Sequence, residues 1–243
     1  MPQKLEYPGA NGVGDWDSLY RSRGEEVQDQ RSIFTGDVLR DVDVQSIGHT
    51  KRLSVMVLQH PCALRTDGVN LQPRLIVAEV REHPVMSPQE WTRNFRKMPL
   101  PELIPIVERL PNYDTSRNQA ALFTEIYLAS PEALEAGTRI ACLTQKGVNL
   151  VMQRWVHHNS RVIVPTQQYQ EVTSGAFEEA DLIEEWCEDR MYAGVSTIDA
   201  TVEAMKWLRE DLDGVPTRQQ RLTDPQQQSA VRREMREALR SMR

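Results

Sequence analysis

A histidine and a cysteine that could form a base and nucleophile pair stand close together in the sequence. His60 and Cys62 follow the apolar stretch 53–58, which is typical of a buried strand. A thiol becomes an effective nucleophile when a nearby positive charge or imidazole lowers its pKa. The same pattern also fits a buried cysteine at the end of a strand, which is the simpler hypothesis.

A second cluster that could do chemistry combines two arginines with two histidines. Arg154 and His157 are three residues apart, and so are His158 and Arg161, so each pair would share a face of a helix. Such a cluster could bind an anion, including the phosphates of a nucleic acid. It equally fits the end of a helix, where the helix dipole favours cationic side chains. Adjacent histidines lack the i, i+4 spacing of a metal site, so we predict no metal.

An acidic segment could bind a partner. Residues 178–190 hold seven acids and one arginine, a net charge of −6 that equals the charge of the whole chain. Glu178, Asp181 and Glu185 would share one helical face. Metal sites usually draw ligands from several elements or a loop, so a solvated or partner-facing surface is favoured over a cation site.

The C-terminal segment is basic instead. Residues 232–243 hold five arginines and two glutamates, and Arg232, Arg236 and Arg240 would share a helical face. Two alternatives stay open: this helix pairs with the acidic helix, or each helix is a separate docking surface.

Composition excludes several classes of protein. The chain has 243 residues, a formal net charge of −6, 40% hydrophobic residues and 26% charged residues. It is therefore neither a globally basic nucleic-acid binder nor a disordered chain. It contains none of the sequence motifs of P-loop NTPases, dinucleotide-binding folds, zincins or α/β-hydrolases, and we predict no cofactor. No apolar run is long enough to span a bilayer, and the N-terminus lacks a secretory signal.

Three widely spaced cysteines without a CxxC pair predict reduced thiols and a cytoplasmic location. We expect each cysteine to be a small buried residue.

The elements that must position these residues change character near residue 143. Hydrophobic alternation and short apolar runs predict strands between 33 and 143, and a period of 3.6 predicts helices from 144 onward. Strands followed by helices predict an α+β fold: a small antiparallel β-barrel or sheet, SH3-like or related, followed by a helical half. We predict a polar arm over 1–31, a barrel-like domain over 32–143 and a helical region over 144–243.

Several element limits follow from local signals. Ser87, Pro88 and Glu90 predict a short helix that begins with a capping box. The proline-rich segment 98–111 is predicted to be a connector. Asp224 and Gln227 predict the start of the last helix.

Residues 33–80 resemble the opening of PemK/MazF-like proteins, which are small SH3-like barrels that act as endoribonuclease toxins. Gly36–Asp37–Val38, then Lys51–Arg52, then the buried strand 55–58 follow the order typical of that family. The resemblance implies a barrel, and it implies that Arg52 stabilises phosphate charge during RNA cleavage. Leu53 replaces the usual proline after the arginine, and the helical half has no counterpart in the family.

These observations lead to competing hypotheses about function. The first is a non-catalytic binding or adaptor protein of bacterial or phage type, which contacts a protein partner or a second copy of itself and no membrane. The alternative is a PemK/MazF-like endoribonuclease that uses Arg52 and binds RNA. A weaker alternative is a thiol-dependent enzyme with Cys62 as nucleophile and His60 beside it.

Overall fold

The chain forms two compact units. The computed structural model describes residues 4–10, 13–28, 31–46, 48–67, 69–103, 117–211 and 214–242. The first unit, here called the barrel unit, comprises Met1–Val27, Ile33–Leu64 and Gln72–Gln170. The second, here called the helical unit, comprises Gln28–Ser32, Arg65–Leu71 and Glu171–Arg243. The domain limits predicted after residues 31 and 143 stay predictions.

Among the described residues, strands predominate between 33 and 143 and helices follow from 145, as the hydrophobic periods predict, whereas the strands before residue 24 and the helix Pro131–Ala136 were not predicted. The strands are β1 Gly9–Ala10, β2 Val13–Gly14, β3 Tyr20–Arg23, β4 Val38–Ser46, β5 His49–Val57, β6 Leu75–Pro84, β7 Lys97–Leu100, β8 Arg117–Ala129 and β9 Thr138–Leu143. The α-helices are α1 Pro88–Arg93, α2 Pro131–Ala136, α3 Gln145–Ser160, α4 Thr166–Tyr192, α5 Thr197–Leu208, α6 Arg218–Arg221 and α7 Pro225–Ser241. Short 3₁₀ turns cover Asp17–Leu19, Gly24–Glu26 and Pro61–Ala63.

Four strands close into an antiparallel barrel. β4 pairs with β5, β5 with β6 and β6 with β8, and β8 returns to β4 where Gln45 lies opposite Leu128. Val42 and Val44 point inward and are fully buried, and the intervening Asp43 is exposed. Strands β3, β9 and β7 extend the sheet. The predicted mixture of a barrel and helices is confirmed, with an antiparallel barrel as its β part.

One predicted connector contains a strand. β7 occupies the start of the proline-rich segment 98–111, and it pairs with β8 along its length. β7 is an edge strand of the sheet. Proline, which lacks a backbone N–H donor, is tolerated on edge strands, and Pro99 lies on this one. Residues 104–111 of the predicted connector lie outside the described residues.

Helix starts follow the predicted capping signals. The Ser87 hydroxyl accepts from the backbone amide of Glu90 at 3.3 Å, and the Glu90 carboxylate accepts from the backbone amide of Ser87 at 2.7 Å. Asp224 accepts from the backbone amide of Gln226 and from the side chain of Gln227. Both predicted caps are therefore confirmed.

The core of the helical unit departs from the sequence prediction at α5. The spacing of Ile198, Val202, Met205, Leu208 and Leu212 predicts one apolar stripe, but Ile198 and Val202 are 78% and 48% exposed, and Leu212 lies outside the described residues. Met205 and Leu208 are buried as the stripe predicts, and together with Ala204 they pack with residues of α4 and α7. Small side chains on α5 permit close helix contact, and this turns the larger β-branched residues outward.

None of the helices among the described residues is long and apolar enough to cross a membrane.

Candidate nucleic-acid interface

Arg52, His60 and Cys62 are the three residues predicted to be catalytic. No contact among the described residues joins Arg52 to the other two. Arg52 lies on β5 with a side chain that is 66% exposed, and its Nε is 3.7 Å from Oδ1 of Asp41. His60 precedes the 3₁₀ turn Pro61–Ala63, and its Nδ1 accepts from the backbone amide of Cys62 at 3.2 Å. Burial lowers the pKa of His60. The imidazole therefore caps a turn through a backbone amide, and its contact with Cys62 does not involve the thiol.

The three cysteines divide by exposure. Cys142 and Cys187 are buried, as predicted. Cys62 is exposed, so the prediction that it is a buried structural residue is wrong. The 3₁₀ turn after His60 carries its side chain outward.

Arg154 belongs to the interior. Its side chain is fully buried and its Nη2 donates to the carbonyls of Glu6 at 2.7 Å and Trp91 at 3.3 Å. Nη1 donates to the carbonyl of Leu150, and the guanidinium lies 4.9 Å from the centre of the Trp91 ring. Burial lowers the pKa of Arg154 to about 9, against the opposing effect of the Glu6 carboxylate. The structure thus separates Arg154 from the exposed part of the predicted basic cluster.

The other three members of that cluster meet an aromatic side chain from a different element. The ring centre of Phe95 lies 5.0 Å from that of His157 and 6.2 Å from that of His158. The guanidinium of Arg161 lies 4.4 Å from the centre of the same Phe95 ring. His158 also stacks on Trp155, with ring centres 5.9 Å apart and planes 9° apart. The aromatic rings are half-buried, and Arg161 is exposed.

The chain brings Arg161 into place by ending α3 in an unusual backbone conformation. Arg161 caps α3 in the left-handed region, with φ at 62°, and its amide donates to the carbonyl of His157. The helix therefore ends at Ser160, and the Arg161 side chain lies over Phe95. In this position it supplies both a favourable charge for the helix end and an exposed cation.

A second basic segment converges on the same place. Arg93, Arg96 and Lys97 surround Phe95 in the sequence without an intervening acid. Arg96 is exposed, and its charge lowers the pKa of His158, after burial and Arg161 as the larger causes. Burial and the two arginines therefore all favour the neutral form of the His158 ring. We call Phe95, Arg96, Trp155, His157, His158 and Arg161 the basic aromatic cluster.

Stacked aromatic rings beside exposed arginines have a defined binding chemistry. Bases stack on aromatic faces, and guanidinium groups pair with phosphates. The two exposed arginines supply permanent positive charge in the cluster. This combination fits a single-stranded nucleic acid better than a metal. Among the described residues, no group of three histidines, cysteines or acids could hold a metal ion.

A pocket of about 200 Å³ also lies in the barrel unit. Trp16 and Trp91 stack on one another, with ring centres 5.7 Å apart, and Tyr7 meets both rings edge to face. The lining residues are Trp16, His83, Pro84, Val85, Met86, Trp91, Pro99, Pro101, Glu102, Asn118 and Gln119. The pocket thus combines a large aromatic wall with a few polar side chains, which is typical of a ligand site.

Most polar side chains of the pocket are held by protein contacts. Nζ of Lys97 lies 2.6 Å from Nε2 of His83, and the carbonyl oxygen of Pro84 lies 2.7 Å from Nδ1 of the same ring. Glu102 forms an ion pair with Arg23 at 2.9 Å. Gln119 is only 7% exposed, yet no hydrogen bond among the described residues involves its carboxamide.

The charged faces of the helical unit pair with each other. Arg232 contacts Glu178 at 3.0 Å and Glu185 at 2.9 Å, and Arg236 contacts Glu185 at 2.7 Å. The structure therefore joins four of the six residues that the sequence predicts as partner contacts. Their binding to a partner stays a prediction.

The remaining two residues of that set lie beside these ion pairs. Asp181 adds a favourable charge to Arg232. Arg240 is exposed, and its Nε donates to the carbonyl of Arg236 one turn earlier.

Comparison with known proteins gives no family for this chain. It matches no protein-family model and no curated protein.

Sequence reasoning missed Phe95, Arg96, Trp16 and Gln119 as site residues. The run of arginine, phenylalanine, arginine and lysine at 93–97 was a usable signal, because aromatic residues interleaved with cations are typical of nucleic-acid surfaces. Trp16 and Gln119 offered no such signal, because only the fold places them in one pocket.

Proposed function

We propose that this protein is a non-catalytic binding protein whose barrel unit binds single-stranded RNA through the basic aromatic cluster. The observation that carries the proposal is the convergence of two acid-free basic segments on the ring of Phe95. The net charge of −6 does not oppose it, because the acidic segment 178–190 accounts for a charge of that size. Local positive charge is what phosphate binding requires.

The test is the affinity for a labelled, unstructured single-stranded RNA, measured by fluorescence anisotropy. The double substitution R96Q/R161Q removes two exposed cations, and we expect it to weaken binding at least tenfold, on the order of two lost phosphate contacts. R74A is the matched control, because Arg74 is an exposed arginine of the same unit outside the cluster. An R96Q/R161Q protein with wild-type affinity would contradict the proposal.

An endoribonuclease of the PemK/MazF-like kind is the second candidate, with the barrel as an SH3-like barrel. The accessibility of Arg52 favours it. The Arg52 side chain is two-thirds exposed, and its Nε lies as far as 3.7 Å from Oδ1 of Asp41. Cleavage of mixed-sequence RNA that R52A abolishes would support it. RNA that stays intact across varied sequences would exclude it.

A protein partner or a second copy is the proposal for the helical unit. Tyr192 is 98% exposed and Ile198 is 78% exposed near the turn between α4 and α5, and large exposed apolar side chains mark interaction surfaces. Light scattering of the purified protein tests self-association. A wild-type protein that is monomeric, with light scattering identical to that of I198S/Y192S, would argue against this surface.

Thiol chemistry at Cys62 stays a weaker proposal. The exposure of this thiol is its support. A C62A protein that retained every measurable activity would exclude it.

A further inference from the structure

The pocket beside Trp16 is lined by the carboxamide of Gln119, which makes no hydrogen bond with any other described residue. Gln119 lies on β8 between β6 and β7, opposite Glu82 on one side and Leu100 on the other. Its backbone is committed to these ladders, and its side chain is directed to the pocket that it lines. The nitrogen and oxygen of this carboxamide are not among the fully buried unpaired atoms of the described residues, so they face the open space of the pocket and offer it two donor hydrogens and one acceptor. Such a group in a cavity points to a ligand that completes its hydrogen bonds.

The rest of the pocket restricts the chemistry of that ligand. The indole of Trp16 lines the pocket while it stacks on Trp91, and both ring nitrogens of His83 are already in contact with Lys97 and Pro84. Glu102 is neutralised by Arg23. The ligand is therefore flat or apolar, and uncharged at the part that enters. It needs a donor and an acceptor on one edge to match the carboxamide.

The size of the pocket narrows the choice further. Sites for whole cofactors and drug-sized ligands have volumes of about 300–1,000 Å³. A volume of about 200 Å³ suits a single planar group instead. A nucleobase has the required flat faces and a hydrogen-bonding edge, and it stacks on indole rings.

We propose that this pocket takes one unstacked nucleobase, with the carboxamide of Gln119 on its hydrogen-bonding edge and the indole of Trp16 against its face. The proposal rests on the proposed function, because the RNA bound at the basic aromatic cluster is the source of the base. The position of Trp91 connects the two features: α1 carries Trp91 into the pocket wall, and the chain reaches Phe95 and Arg96 just after α1 ends.

The first experiment probes the pocket without any phosphate. Adenosine, cytidine, guanosine and uridine are titrated separately into the isotopically labelled full-length protein. We expect at least one neutral nucleoside to shift the NMR signals of the Trp16 indole N–H and the Gln119 side-chain amide. This readout does not depend on the arginines of the cluster, so it separates the base pocket from the phosphate contacts.

The second experiment uses RNA and matched variants. Q119M keeps the size of the side chain and removes its donors and acceptor, and we expect it to weaken binding of the preferred RNA about tenfold, the equivalent of one or two hydrogen bonds. Q168M is the control, because Gln168 is an exposed glutamine of the same unit. W16F keeps an aromatic face and is expected to retain more affinity than W16A.

The variants also need a check that does not depend on Gln119 alone. G14A is expected to act like W16A, because a Cβ at residue 14 would overlap the indole of Trp16 and displace it. Circular dichroism shows whether each variant is folded. Where a variant does not fold, the nucleoside titration of the wild-type protein provides the test.

The outcomes separate the two proposals. Loss of affinity in R96Q/R161Q with no nucleoside shift, and with Q119M and W16A equal to wild type, would overturn the base pocket and leave RNA binding intact. Nucleoside shifts at Trp16 with unaffected R96Q/R161Q would contradict the cluster instead. Shifts caused by a short peptide but by no nucleoside would also overturn the base pocket, and would assign it to a protein ligand.

Discussion

Single buried residues carry much of the tertiary structure of the barrel unit, and Arg154 is the clearest of them. It reaches from α3 to backbone carbonyls of the N-terminal segment and of α1. Glu6, whose carbonyl accepts from Arg154, also accepts with its carboxylate from the amide of Thr166 at 2.8 Å and so satisfies an orphan donor at the start of α4. Glu6 of the predicted polar arm thus contacts both α3 and the start of α4.

We expect R154M to lower the free energy of unfolding by about 3 kcal/mol, because it fills the space but leaves buried carbonyls without donors. R154K should also destabilise, because an ammonium group cannot reproduce the planar fork. Urea unfolding followed by tryptophan fluorescence measures both. R74M is the control, with an expected change within about 0.5 kcal/mol. An R154M protein as stable as wild type would contradict this role.

Pairs of elements account for the charge pattern of the helical unit. α4 and α7 are joined by Arg232 and Arg236 on one side and by Glu178 and Glu185 on the other. Two of the seven acids in the acidic segment therefore pair with two of the five arginines in the basic segment. The charge that stays exposed is smaller than the sequence alone indicates.

A double-mutant cycle measures this pairing. We expect E185Q and R232Q together to cost less than the sum of the two single substitutions, with a coupling energy of about 1 kcal/mol, since these side chains are still 30% exposed. R240Q is the control, because none of the ion pairs found among the described residues includes Arg240. A coupling energy of zero would show that the pair adds no stability.

Another contact between elements predicts a dependence on pH. A hydrogen bond from Arg221 is the main cause that lowers the pKa of Glu234 from its usual 4.5, and Arg218 adds to it. A carboxyl whose pKa is lower in the folded state stabilises the fold above its unfolded pKa, and this contribution is lost as the pH falls through the folded pKa. Glu234 therefore contributes at pH 7 and loses its contribution below about pH 4.5.

We expect E234Q to be less stable than wild type at pH 7, and the difference to shrink as the pH is lowered to about 3. Urea unfolding at the two pH values gives the comparison. E237Q is the control, because Glu237 is exposed on the same helix. A deficit in E234Q that stays constant with pH would contradict the assignment.

At the scale of the whole molecule, the periodic patterns in the sequence were enough to predict the class of fold. The alternation at Val42 and Val44, and the caps at Ser87 and Asp224, act over a few residues, so they can be read without the fold. The outward rotation of Ile198 on α5 depends on how three helices pack, which no local pattern encodes.

Local patterns in the sequence predicted only part of the candidate site, because the rest depends on tertiary structure. His157, His158 and Arg161 stand in one segment, and their spacing indicated a common surface. Phe95 and Arg96 reach them through tertiary structure, more than fifty residues earlier in the chain. Arg154 shows the converse, because a residue that fits the pattern was buried by a contact with Trp91.

The charge of the whole chain gives the wrong impression of its surface. The proposed RNA binding depends on the local concentration of cations at the basic aromatic cluster, and this dependence is measurable through salt. Each phosphate contact to single-stranded RNA releases counterions, which lowers the logarithm of the binding constant with a slope of about 0.7 per contact.

The most direct test of the account is the salt dependence of RNA affinity for the wild-type protein and for R96Q/R161Q. The account predicts a linear fall of log affinity with log salt for the wild type, and a slope reduced by about 1.4 in the double variant. It also predicts that the slope falls by the same amount for RNAs of different sequence, because phosphates carry no base identity. Equal slopes for the two proteins would contradict the claim that this surface binds RNA.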